Sequence, residues 1–183
     1  CVNLLFNERD RIEPSAQVLR SFWGLALYRP VNKWKESIQG YVGLSEVSAL
    51  SGKGVLIPQS VFTKVGVYNE KLLPHYHADT ELTARAAKSG FQVFLNYAAK
   101  VYSHHEETGL TARSLSTSFK NFIAGFSSVK STRHFPTLIN KARLLHGQNY
   151  LVYLSINLIG VIGGFIKRWA RSLLANCLSS FSR

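Results

Sequence analysis

The chain has 183 residues, 46% of them hydrophobic and 17% charged, with a net charge of +12. This length suits one domain, or one domain with an appendage, and the composition excludes an intrinsically disordered chain. Two cysteines at opposite ends, Cys1 and Cys177, exclude a disulfide framework or a CxxC metal site and suit a reducing compartment. The sequence contains no methionine and opens on Cys1, so the expectation is a processed chain or a fragment, with no charged-then-apolar leader legible at the start. Charge divides the chain unevenly. All ten acidic residues lie at or before Glu107, where twelve Lys and Arg leave a net of +2, and the remaining ten Lys and Arg follow with no acid among them. A tail of that kind attracts anionic lipid headgroups or nucleic acid.

In chain order, "CVNLLF" has the apolar character of a strand and "NERDRIEP" that of a charged loop. "SAQVLRSFWGLALY" places Val18, Leu19, Phe22, Trp23 and Ala26 at a helical period, with Ser15 as N-cap and Arg29-Pro30 as the end. "GVLIP" (Gly54 to Pro58) is a short apolar run between glycine and proline, expected as a buried strand. "SVFTKVG" predicts one or two helical turns stopped by Gly66. "DTELTARAAKSG" predicts a helix capped by Asp79 or Thr80 and ended by Gly90. "FQVFLN" and "AKVYSHH" read as two further strands, so residues 1–109 form a mixed α/β layer.

Residues 110–183 read as a basic helical tail. Within it, the twenty residues Gly147 to Ile166 carry no charge, close to the roughly 20 apolar residues that span a bilayer. Lys141 and Arg143 precede this segment and Lys167, Arg168 and Arg171 follow it, so both flanks are basic and no orientation is indicated. An interfacial helix, a spanning helix and an ordinary core helix all satisfy the pattern.

The chemistry concentrates in "LPHYHADTELTARAAKSG", where two readings compete. In the first, His75, His77 and Asp79 at alternate positions share one face of a strand, as metal ligands do. "HYHAD" matches the HxHxD core of metallo-β-lactamase-like hydrolases, although Thr80 stands where that pattern continues with another histidine. In the second, Asp79 alone matters, either as a carboxylate base at a helix mouth or as a simple N-cap.

Four stretches in order favour the carboxylate. "LSGKGVLIP", "VFTKVGVYNEKLLPHY", "ADTELTARAAKSGFQVF" and "AKVYSHH" together resemble the second half of the catalytic domain of family 2 glycosyltransferases, inverting enzymes of the GT-A fold. The resemblance covers about Leu50 to Gly109, with Ala78 where the family has Glu. It implies an α/β fold, the C-terminal half of a Rossmann-like GT-A domain, followed by the basic tail. It further implies transfer of a sugar from a nucleotide-sugar donor to a lipid-linked or polysaccharide acceptor, as in bacterial cell-envelope synthesis at the cytoplasmic face of the membrane. Asp79 would be the general base, with Gly52, Lys53, Gly54, Glu81 and Arg85 near substrate and His104 near a divalent metal (Mg or Mn). A structural ion pair is the alternative for Glu81 and Arg85, which stand at i, i+4. The family's Asp-x-Asp motif does not occur in this sequence, which implies that the donor-binding half of the domain is missing and that the chain alone is inactive.

A non-enzymatic basic protein binding membrane or nucleic acid is the remaining class. The tail has aromatics but no RNP, zinc-finger or helix-turn-helix pattern, and a long uncharged stretch suits lipid better than a phosphate backbone. No nucleic-acid partner is therefore expected.

Overall fold

The computed structural model of the chain describes residues 2–6, 15–22, 25–31, 42–102 and 117–181. The chain forms two compact units, Cys1–Thr108 and Gly109–Arg183. The first is mixed α/β with two small sheets; the described part of the second is helical.

In the first unit, β1 (Val2–Phe6), β6 (Phe94–Tyr102) and β4 (Leu44–Glu46) form one sheet in the order β1-β6-β4. β1 runs parallel to β6 and β4 antiparallel to it. β3 (Leu25–Pro30), β2 (Ala16–Phe22) and β5 (Ala49–Leu50) form the second sheet, antiparallel throughout. Ala16, Val47, Leu50, Val93, Leu95 and Tyr97 make a common core, with Val18, Val31, Val55 and Ala87 packed on it.

Three sequence expectations change here. The helix expected from Ser15 to Tyr28 is instead the β2–β3 hairpin, paired from Gln17↔Pro30 to Phe22↔Leu25. Pairing of Ala16 and Gln17 with β5 settles the conformation, since Ala16 and Val18 then reach the core on one face while Leu19 stays exposed on the other. "GVLIP" is not a buried strand. Gly54 lies in a turn at φ +72, only Val55 makes a bridge, and Leu56 is 77% exposed. "FQVFLN" and "AKVYSHH" are not two strands. The single strand β6 runs through both, with its pairing to β1 jumping from Asn3↔Asn96 to Leu4↔Lys100 where the sequence suggested a break.

Two helices complete the unit. α1 (Gln59–Val65) follows Pro58 and ends at Gly66, φ +81, whose N–H reaches the Phe62 carbonyl at 2.9 Å. α2 (Ala78–Lys88) buries Leu82, Ala84 and Ala86 and packs beside β5. Gly90, at φ +94, turns the chain out of α2.

The second unit contains α3 (Phe119–Ser127), α4 (Phe135–His146), a single 3-10 turn (Gly147–Asn149) and α5 (Tyr150–Phe181). Pro136 sits in the first turn of α4, where its missing N–H costs nothing, and Gly147 at φ +52 ends that helix. α4 and α5 pack through Leu138, Ala142 and Leu154, with Ile139, Tyr150, Tyr153 and Leu158 around them. α3 is held to α5 by Phe122, whose ring stacks on Phe165 at 4.2 Å. Much of α5 remains uncovered: Leu151, Val152, Ile156, Ile159, Ile162, Ile166, Trp169, Leu173 and Leu174 are all exposed. The stretch Phe135–Ala175 is, among the described residues, the one helical run long and apolar enough to cross a membrane; an 18-residue window within it has a mean hydropathy of 1.6 and is 11% buried.

Candidate functional site

The site lies where β5 meets the start of α2. β5 leaves the core at Leu50, and the chain turns through Ser51 to Gly54 before reaching Val55. Thr83 fixes this turn to the helix: the Leu50 N–H donates to Thr83 Oγ1 at 2.9 Å, and that hydroxyl donates to the Asp79 carbonyl at 2.8 Å. Both Leu50 and Thr83 are buried, so this N–H of β5, a strand otherwise paired with β2, is satisfied by a side chain.

Asp79 is the second residue of α2 and not its cap. His77 caps the helix by its backbone, in a left-handed conformation (φ 73), and its carbonyl accepts the first helical bond from the Glu81 N–H at 2.9 Å. The Asp79 side chain is therefore available for contacts outside the helix. Its Oδ1 accepts from the Thr80 N–H at 2.8 Å, and its Oδ2 accepts a short hydrogen bond from the Gly52 N–H. A Cβ at position 52 would stand 3.1 Å from both Asp79 Cβ and Oδ2, tighter than ordinary contact, so glycine lets the backbone approach the carboxylate. The Thr80 hydroxyl also donates to Oδ1, at 3.5 Å, so of the two lone pairs on each oxygen it is one on Oδ2 that is left for a further proton or donor. Asp79 is half-buried and sits at a helix N-terminus, where the helix dipole favours negative charge.

Gly54 is constrained by packing. Its φ is +72, and a Cβ there would meet Val101 Cγ2 at 2.8 Å. Lys53 lies between the two glycines, half-buried in the turn. The three residues "GKG" are thus gathered beside Asp79 and β6.

Glu81 and Arg85 form a two-pronged ion pair. Arg85 Nε and Nη2 donate to the two Glu81 carboxylate oxygens at 2.8 and 3.0 Å. The remaining donors reach the end of α1 and the loop after it: Nη1 to the carbonyl of Val65, the last residue of α1, and Nη2 to that of Val67 at 2.9 Å. The Glu81 side chain is only 5% exposed. The pair clamps α2 to the segment that leads from Gly66 towards Leu73, a residue itself fully buried.

The strand geometry that would align His75, His77 and Asp79 is absent. Residues 73–77 form bends, His77 has a positive φ and Asp79 is helical, so alternate positions no longer share a face. His75 packs edge-on to Tyr76 at 4.6 Å. Among the described residues no three His, Cys, Asp or Glu side chains are grouped to hold a metal ion. His104 and His105 lie outside the described residues, as does the "NERDRIEP" segment.

The sequence pattern had not marked Thr83, which joins β5 to Asp79. Its only local signal is a hydroxyl one helical turn after an acidic residue. No protein-family model matches the chain, and no curated protein or solved structure matches it at a significant level.

Proposed function

We propose that the first unit is the acceptor-side half of an inverting GT-A glycosyltransferase domain, with Asp79 as general base. The observation that carries this reading is the hydrogen bond from the Gly52 N–H to Asp79 Oδ2, because it joins two motifs that the family resemblance assigns to one site and that lie 27 residues apart. A fixed, partly exposed carboxylate suits the chemistry. As the acceptor hydroxyl attacks the anomeric carbon of the nucleotide-sugar, Asp79 takes its proton; the new C–O bond forms on the face opposite the breaking bond to the diphosphate, which leaves with its electron pair. Gly52 orients the carboxylate, and the Glu81–Arg85 clamp and Thr83 hold α2 in register with the turn.

The second unit supports one class of acceptor. A long helix with an uncovered apolar face, in a segment without acidic residues, suits a lipid-linked acceptor at an anionic membrane surface. On this reading the protein works at the cytoplasmic face in envelope polysaccharide synthesis.

The test is Asp79→Asn in the full-length gene product, with donor binding and transfer measured separately. We expect transfer to fall by about 10²–10⁴-fold, the range of a lost general base, with donor affinity nearly unchanged. Transfer at the parent rate overturns the assignment.

A further inference from the structure

α5 is apolar on two opposite sides, and the second unit covers only one of them. Leu154 is buried against α4, and Phe165 stacks on Phe122 of α3. At about 100° per residue, positions 154 and 165 fall on one side of the helix. Val152, Ile156, Ile159, Ile162, Ile166 and Leu173 fall on the other, and all six are exposed, Ile159 to 70%. This stripe from 152 to 173 runs past Lys167, Arg168 and Arg171, which fall beside it or behind it.

A helix that crosses a bilayer disfavours charge on every side at mid-depth, and α4 brings one there. Lys141 of α4 lines the same small cleft as Tyr153 and Asn157 of α5, and the Arg143 guanidinium lies over the Tyr150 ring, 4.9 Å from its centroid. Asn157 stands at the middle of the uncharged residues 147 to 166, so crossing would carry the Lys141 ammonium towards the bilayer centre. A second copy of the chain is a poor cover for the stripe. No acid follows Glu107, so two such units, each with ten Lys and Arg, repel one another. An anionic lipid surface answers both features: acyl chains take the stripe, and headgroups attract the cations. We infer that α5 lies in the plane of an anionic bilayer, its 152 to 173 stripe among the acyl chains and α3 and α4 on the water side. Lys167, exposed at the margin of the stripe, reaches the headgroups while its stem covers apolar surface. This mode of docking rests on the membrane-surface reading of the second unit and not on Asp79 as base, and no sugar transfer enters its test.

The full chain is sedimented with vesicles of phosphatidylcholine alone and with vesicles that also carry phosphatidylserine. We expect partitioning onto the anionic vesicles to be about tenfold stronger or more. Ile159→Gln and Ile166→Gln should each weaken it about tenfold, the worth of one aliphatic side chain withdrawn from water. Val129→Gln, at an exposed apolar position off α5, should leave it unchanged. Depth separates lying from crossing. In a Cys1→Ser, Cys177→Ser background, a fluorophore is attached through Val152→Cys, Ile159→Cys or Ile166→Cys, and nitroxide-bearing lipids report its depth. A helix in the plane gives three equal depths, whereas a crossing helix places position 166 about 10 Å shallower than position 159. Three results each overturn the proposal: no preference for the anionic vesicles, that difference in depth, or self-association that Ile159→Gln abolishes in a chain that binds no vesicles. The second result assigns α5 as a spanning helix and the third assigns the stripe to a second copy.

Discussion

The two units treat their arginines in opposite ways. Arg85 in the first is used by Glu81 and by the Val65 and Val67 carbonyls, so its charge and its donors are answered within the fold. Arg133 in the second lies over the Phe122 ring and against Gly125, with a buried Nε left unsatisfied among the described residues. The first arrangement answers its charge within the fold, and the second leaves a donor unanswered among the described residues. An arginine's role is thus read from what surrounds it, not from its presence in a basic sequence.

The sharpest way to break the comparison is to make Arg85 resemble Arg133. Glu81→Ala removes the buried partner and leaves the guanidinium held only by loop carbonyls. Breaking a buried pair costs about 3–5 kcal/mol, and the 30% exposure of the Arg85 side chain lowers this to about 2–4 kcal/mol. Urea denaturation of the first unit should show that loss. An unchanged midpoint would mean that the clamp contributes little and that Glu81 is free for another role.

A smaller effect is expected from Thr83→Val, which keeps the shape and deletes the hydroxyl. The Leu50 N–H then loses its acceptor in a buried position, a cost of about 1–2 kcal/mol. Hydrogen exchange at Leu50 should accelerate more than at Leu95 in the neighbouring sheet. Equal acceleration at both positions would mean global destabilisation rather than loss of one anchor.

How much of this was legible beforehand varies with the range of the interactions. α1 and α2 were readable because their signals are local: periodic apolar residues, and glycines at positions 66 and 90 that adopt positive φ. The Glu81–Arg85 pair was readable for the same reason, being one helical turn apart. The β2–β3 hairpin was not, because Val18, Leu19, Phe22, Trp23 and Ala26 fit a helical period as well as a strand pair, and the deciding partner, β5, lies far along the chain. The overlooked sequence signal was a glycine, Gly24, in the two-residue gap between the paired Phe22 and Leu25. The contact between Gly52 and Asp79 could be anticipated only through resemblance, since no local rule brings those two positions together. The packing of Arg133 against Gly125 had no sequence signal beyond an excess of positive charge and a glycine in an aromatic helix.

The smallest expected effect is the most discriminating. Arg133→Met preserves the aliphatic packing over Phe122 and removes the charge. Burial and then the charge of Arg168 hold the Arg133 guanidinium below its ordinary pKa, and a cation so lowered is one whose charge the fold opposes. The penalty is present wherever the guanidinium is protonated, neutral pH included, and fades only as pH rises through the lowered value. Removing the charge also forfeits a cation–π contact of about 0.5–1 kcal/mol. The two terms oppose each other, so the stability of the variant should stay within about 1 kcal/mol of the parent. Glu81→Ala shows by contrast what an arginine costs once its partner is gone. A loss of several kcal/mol in Arg133→Met would place Arg133 with Arg85, as a residue the fold depends on.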